Sequence, residues 1–294
     1  MSIAPASQIP TVYRRRIGDI VVTAVSDGVL TIPDRVMTRN LAPENLAHAL
    51  ESAFRDGLSF SVNAFAVHSR GRVALIDTGC GGYLGPNVGH LVANLNLAGV
   101  SPEEVEAVLL THMHPDHSAG LADRETGRRY YPNAQLVVHE NEPKHWFDDA
   151  KMSGVSDLYK TMHFQWAREQ TKPYLDRMRT FKYGDEVFPG VTAIDAHGHT
   201  PGHTAYLIAS GGERLLIWGD TVHIPEVQFA RPEITMVPDT DPDTAVVARR
   251  RLFDMVATQR MLVSGMHLHF PGFGHVAREG DAFRFHPEAW RQTL

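Results

Sequence analysis

Cysteine is nearly absent from this chain. Its 294 residues include one, Cys80, so no intrachain disulfide can form and the fold must rest on packing. No run approaches the roughly 18 consecutive apolar residues of a membrane-spanning helix. Met1 to Arg16 holds no apolar segment ahead of the basic run Arg14-Arg15-Arg16. It does not resemble a secretory signal, and a cytoplasmic location is expected. Positive charge is also in short supply. Lys and Arg total 28 against 34 Asp and Glu, a formal net charge of −6. Nucleic acids and anionic membranes select basic surfaces, so neither is an expected partner. No repeat, low-complexity tract or dividing linker is visible. One domain over residues 1–294 is expected, with residues 1–16 as an irregular N-terminal arm.

Histidine, by contrast, is abundant, with 17 in the chain. The densest group is Thr111-His112-Met113-His114-Pro115-Asp116-His117. His112 and His114 are two apart, which puts them on one side of an extended segment. Pro115 then stops a helix from running through and favours a turn that brings in Asp116 and His117. Imidazole nitrogen and carboxylate oxygen suit Zn²⁺, and Fe, Mn or Co fit the same donors.

The same design recurs along the chain. An apolar, β-branched strand feeds a short loop bearing His or Asp at Asp77, at His112–His117, at His199, at Asp220 and at His267. Strand ends that deliver ligands to one edge call for an α/β fold. Gly79 to Gly89 lacks the spacing of a phosphate-binding loop, and no G-x-S-x-G elbow is present. Cys80 is expected to be a passive loop residue. Asp27-Gly28 is expected to turn the chain. Residues 140–180 have a helical pattern rich in aromatics and Met, suggesting an insertion near a pocket, with Trp146 as the first choice for a substrate-facing side chain.

These motifs resemble the metallo-β-lactamase-fold hydrolase superfamily. The features that carry the likeness are Leu75-Ile76-Asp77-Thr78-Gly79, His112-x-His114-x-Asp116-His117, Gly198-His199-Thr200-Pro201-Gly202-His203, Gly219-Asp220 and His267. Val227-Gln228-Phe229 and Phe270-Pro271-Gly272-x-Gly274-His275 are similar to the branch holding methyl parathion hydrolase and acyl-homoserine lactonases. The resemblance implies a four-layer αβ/βα sandwich and two divalent ions sharing a hydroxide. His112, His114 and His199 would hold one ion and Asp116, His117 and His267 the other, with Asp220 bridging. Asp77 would orient a ligand loop, Asp116 would double as a proton relay, and His203 would stay off the metal. Lactonases of this branch often place a Tyr three residues after the bridging Asp. His223 stands there and is expected to be the general acid. The tail is too short for a glutathione-binding domain of the glyoxalase II kind, and His114 stands where flavodiiron proteins have Glu. The implied substrate is a small ester, most readily a lactone such as an acyl-homoserine lactone, with an organophosphate triester or aryl ester as the rival. A metal-binding protein without hydrolytic use is the rival of another class. Homodimerisation is a further implication of the likeness.

Overall fold

The computed structural model describes residues 12–32 and 37–294. Fourteen strands form two sheets of seven among these residues. The first sheet keeps chain order: β1 Val12–Ile17, β2 Ile20–Thr31, β3 Ser59–Ser69, β4 Arg72–Ile76, β5 Val105–Leu109, β6 Gln135–His139 and β7 Met178–Phe181. Pairing is antiparallel from β1 to β4 and parallel from β4 to β7. The second sheet comprises β8 Glu186–Phe188, β9 Val191–Asp195, β10 Thr204–Ser210, β11 Glu213–Ile217, β12 Leu262–Ser264, β13 Gly274–Glu279 and β14 Ala282–Pro287. Here only β11 and β12 run parallel.

The strands' alternation explains the layering. Phe65, Val67 and Leu109 of the first sheet meet Tyr206, Ile208 and Ile217 of the second in one buried cluster between the sheets. Leu75, Val108 and Val138 face the other way, onto Leu91, Leu95, Trp146, Phe164 and Tyr174 of the flanking helices. The second sheet's outer face is covered by Leu252, Phe253 and Val256 of helix Pro242–Thr258. Burying one such Leu or Phe side chain stabilises the fold by about 1.5–3 kcal/mol. That long helix starts where the sequence says it should. The Asp241 carboxylate accepts from the Thr244 N–H at 3.0 Å and Pro242 opens the first turn. The result is the expected helix–sheet–sheet–helix sandwich.

Two local expectations need correction. Residues 1–11 of the N-terminal arm lie outside the described residues, but Val12–Arg16 pairs with Val21–Val25 as an edge strand. The Arg run hides its alternation. Asp27-Gly28 does not turn the chain. It is a β-bulge within β2, where the register with β3 shifts between Ser26 and Gly28. The tail after Phe270 carries the β13–β14 hairpin.

Candidate metal centre

The ligand loops leave the ends of β4, β5, β9, β11 and β12. The first of them is held in strained backbone. Asp77 has φ +58°, a left-handed conformation for a residue with a side chain. Its carboxylate accepts from the Thr111 N–H and Thr111 hydroxyl, both at 2.7 Å, and lies 2.7 Å from His117 Nδ1. Thr78 takes hold of the same histidine's carbonyl, donating from its N–H at 2.7 Å and its hydroxyl at 2.8 Å. Asp77 thus touches the His112–His117 loop at both Thr111 and His117.

The other rings are anchored through their far nitrogens. His199 Nδ1 is 2.7 Å from Asp239 Oδ1, His267 Nδ1 is 2.9 Å from the Ser61 carbonyl, and His112 Nδ1 is 3.0 Å from the Thr111 hydroxyl. Such partners fix tautomer and ring orientation. Asn63 steadies the His267 loop by donating its side-chain amide to the carbonyls of Gly265 and Leu268. His203 donates from Nδ1 to the Ala196 carbonyl at 2.8 Å and accepts the Asp220 N–H on Nε2 at 2.9 Å. Both nitrogens are committed, so His203 supports Asp220 and is not a donor to an ion. A side chain at residue 219 would collide with that ring, and the left-handed backbone there, φ +57°, also requires the glycine.

The seven expected ligands converge. Two groups have donor atoms that all lie within 4.8 Å of one another: His112, His114, His199 and Asp220, and Asp116, His117, Asp220 and His267. Asp220 belongs to both. Its Oδ1 is 3.2 Å from His117 Nε2, and its Oδ2 is 3.3 Å from the Nε2 atoms of both His199 and His267. His112 Nε2, His114 Nε2, His117 Nε2 and Asp220 Oδ1 are buried without a hydrogen-bond partner. Buried polar atoms are normally paired. Converging nitrogen and oxygen donors left unpaired in this way fit divalent cations of the zinc type.

Electrostatics agrees with that fit. Burial opposes charge on every member. Even so, the adjacent His117 and His267 hold the Asp116 carboxyl well below the carboxylate range, and His117 together with His267 does the same for Asp220. In return, contact with Asp220 and Asp239 raises His199 to about 9, and contact with Asp220 and Asp116 raises His267 to about 10. Burial, with His117 or His199 alongside, pushes His112 and His114 well down. The three carboxylates around His117, Asp220, Asp116 and Asp77, likewise hold it well above the ordinary histidine value. Without metal, then, His117, His199 and His267 carry protons at pH 7 that an ion must displace. Metal uptake at pH 7 should release about three protons per chain, and apparent affinity should rise with pH to at least pH 9–10. Titration calorimetry in buffers of different ionisation heat measures this. No proton release would overturn the assignment.

Above the donors lies a cavity of about 510 Å³. Leu30, Ile32, Phe60, Leu84, Leu158 and Met162 make its wall apolar, and Asp116, His199, Asp220, His223 and His267 are at its polar end. Among the described residues its lining has no Lys, Arg or Glu. His223 lies at the polar end with Nε2 3.0 Å from Asp220 Oδ2. Burial lowers it to about 4 despite Asp220, so it is a neutral donor at pH 7, not an imidazolium. Trp146 is not a lining residue. It is fully buried behind His114, its ring 5.5 Å away, with its N–H donated to Glu142 at 2.7 Å. The insertion reaches the cavity instead through Leu158, Tyr159, Met162 and His163. Cys80 is buried with its thiol pushed up by burial and the nearby Asp27, which matches the passive role expected.

Sequence reasoning missed three carboxylates. Asp239 sits 40 positions from the ring it orients. Asp27 accepts from the N–H groups of Cys80, Gly89 and Leu91 and so ties down the loop that brings Leu84 to the cavity. Glu142 is fully buried and accepts four hydrogen bonds. They come from Met113 N–H at 2.9 Å, Trp146 Nε1 at 2.7 Å, the Thr200 hydroxyl at 2.6 Å and Gly202 N–H at 2.7 Å. It joins the His112–His117 loop to the His199 loop. Nothing in the polar stretch Glu140-Asn141-Glu142-Pro143-Lys144-His145 marks Glu142 as the buried one.

The metallo-beta-lactamase superfamily model matches residues 58–267, and the chain belongs to that superfamily. The hydrolase AbOPH of the beta lactamase superfamily is 30% identical, with a TM-score of 0.90 over 97% of this chain and all of that one. AidC, a dizinc quorum-quenching lactonase, shares the fold at TM-score 0.90 and 22% identity over 96% of this chain and 99% of its own. The N-acyl homoserine lactonase AttM of Azorhizobium caulinodans is 27% identical over 122 residues, which is 40% of this chain and 41% of AttM. The match thus spans about two fifths of that curated relative's length.

Proposed function

We propose that this protein is a binuclear metal-dependent hydrolase of small uncharged esters, with lactones bearing an apolar arm as its substrates. The observation that carries the reading is Asp220, common to two donor groups at the polar end of an apolar cavity. Two divalent ions held there would supply a hydroxide at neutral pH and polarise the ester carbonyl. His112, His114 and His199 would hold one, Asp116, His117 and His267 the other, with Asp220 between them. The chain's own part is to orient these groups, to exclude water with the apolar wall and to bind the arm. The described lining has no Lys or Arg to pair with negative charge on the substrate's arm. Asp116, whose side chain is 17% exposed, is the ligand most open to the cavity and would take the proton of the attacking hydroxide and return it to the leaving alkoxide. His223 supports the reaction as an N–H donor to the substrate oxygen. The lactonase names among the relatives and AidC support the substrate class.

The test compares a series of lactones of increasing chain length with a paraoxon-type triester, before and after chelation. Lactone turnover that is lost to chelator and restored by metal is expected. In the same assay His223→Phe should lower kcat roughly 100-fold with metal content intact. Triester turnover well above lactone turnover would replace the lactone by the organophosphate. Metal-loaded protein inactive on both, and on aryl esters, would leave a non-hydrolytic metal protein.

A further inference from the structure

The cavity wall includes a polar side chain that neither the ligand groups nor their supports use. His163 lines the cavity, and its ring lies against His114 with centroids 4.7 Å apart and against Tyr159 at 4.2 Å. Its Nδ1 is buried without a hydrogen-bond partner. Buried imidazole nitrogens are normally paired, so an unpaired one beside a cavity is a place where a ligand can complete the pairing.

Local backbone explains how it arrives there. Lys160–Gln165 is wound as a π-helix between helical turns at Asp157–Tyr159 and Trp166–Thr171. Such widened turns are rare and recur at functional sites. Here Tyr159, Met162 and His163 face the cavity together, while Phe164 and Ala167 pack into the core below. His163 is therefore presented from a packed element, and its contact with His114 places it at the rim of the donor group.

We propose that His163 is a specificity residue that hydrogen-bonds an amide group next to the scissile ester, so that the site favours N-acylated lactones over plain alkyl lactones. The inference rests on the lactonase reading above. In an N-acylated lactone the amide nitrogen is two bonds from the ring carbonyl carbon. An ester attacked above the ligands therefore carries its amide within reach of a ring packed on His114. Against an alkyl lactone of equal length the same nitrogen stays unpaired.

Wild type, His163→Phe and His163→Gln are compared on N-hexanoyl homoserine lactone and on an alkyl lactone of matched length, with metal content measured for each. Phe keeps the ring contacts and removes the nitrogens. It should lower kcat/KM on the amide substrate about tenfold and leave the alkyl lactone within about twofold, the scale of one hydrogen bond. Gln should recover most of the loss, and all three proteins should carry equal metal. Equal losses on both substrates, no loss on either, or no rescue by Gln would overturn the role of His163. Wild type inactive on both lactones would overturn the lactonase reading itself, a result separable from the others because no variant is needed to see it.

Discussion

Asp220→Ala should fold, hold no more than one ion per chain, and hydrolyse ester roughly a thousandfold more slowly, the scale of removing a preorganised electrostatic group. Asp220 is the residue common to both donor groups. Its carboxylate lies within 3.3 Å of His117, His199 and His267, and its Oδ1 has no partner. Losing it removes one donor from each group and leaves three histidines beside one another without the nearest countercharge. The matched control is His203→Ala. That ring shares the Gly198–His203 motif but spends both nitrogens on Ala196 and on the Asp220 backbone. It should retain two ions. Metal content by mass spectrometry, measured beside kcat, separates the two variants. Two ions in Asp220→Ala would end the bridging assignment.

Glu142→Ala should be the most destabilising substitution of a residue outside the donor groups. Four donors on three segments would lose one acceptor. A buried group left unsatisfied costs about 1–3 kcal/mol. The sum is on the order of 4 kcal/mol or more, against a total stability of about 5–15 kcal/mol. The melting temperature should fall by about 10 °C for a chain of this size. Metal content should fall with it, because the loop bearing His112 and His114 and the loop bearing His199 are no longer tied together. Glu142→Gln should lie between, since its amide oxygen can serve two donors while its NH₂ meets the other two. A melt of Glu142→Ala within about 2 °C of wild type would refute the clamp.

What could be read in advance was local. The ligand loops are continuous stretches of His, Asp and Gly at strand ends, and the apolar run before each is the buried end of β4, β5 and β11. Their partners are not local. Glu142 works across 58 and 60 positions to reach Thr200 and Gly202, and Asp239 across 40 to reach His199. Nothing in the spacing of those residues marks either pairing: the docking of one sheet on the other makes the first, and the return of the 239–241 segment along the His199 loop makes the second. Trp146 illustrates a second limit. Residue type suggested a substrate-facing aromatic, yet an indole N–H in an apolar place needs an acceptor, and Glu142 supplies it inside the core. Which residues of a helical stretch face a cavity depends on phase, and the π-helical turn at 160–165 shifts that phase in a way a period of 3.6 does not foresee. Asp27 fails for a related reason. Asp-Gly suits both a turn and a bulge, and the long-range pairing with β3 decides between them.

Both sheets supply donors. His112, His114, Asp116 and His117 follow strands of the first sheet, and His199, Asp220 and His267 follow strands of the second. Each donor group in turn draws two members from either side. An ion seated in either group would therefore rivet one half of the molecule to the other across their seam. Its binding energy would go to holding the halves shut as well as to chemistry. On this architecture the availability of metal in the surroundings governs the lifetime of the folded chain along with its rate of turnover.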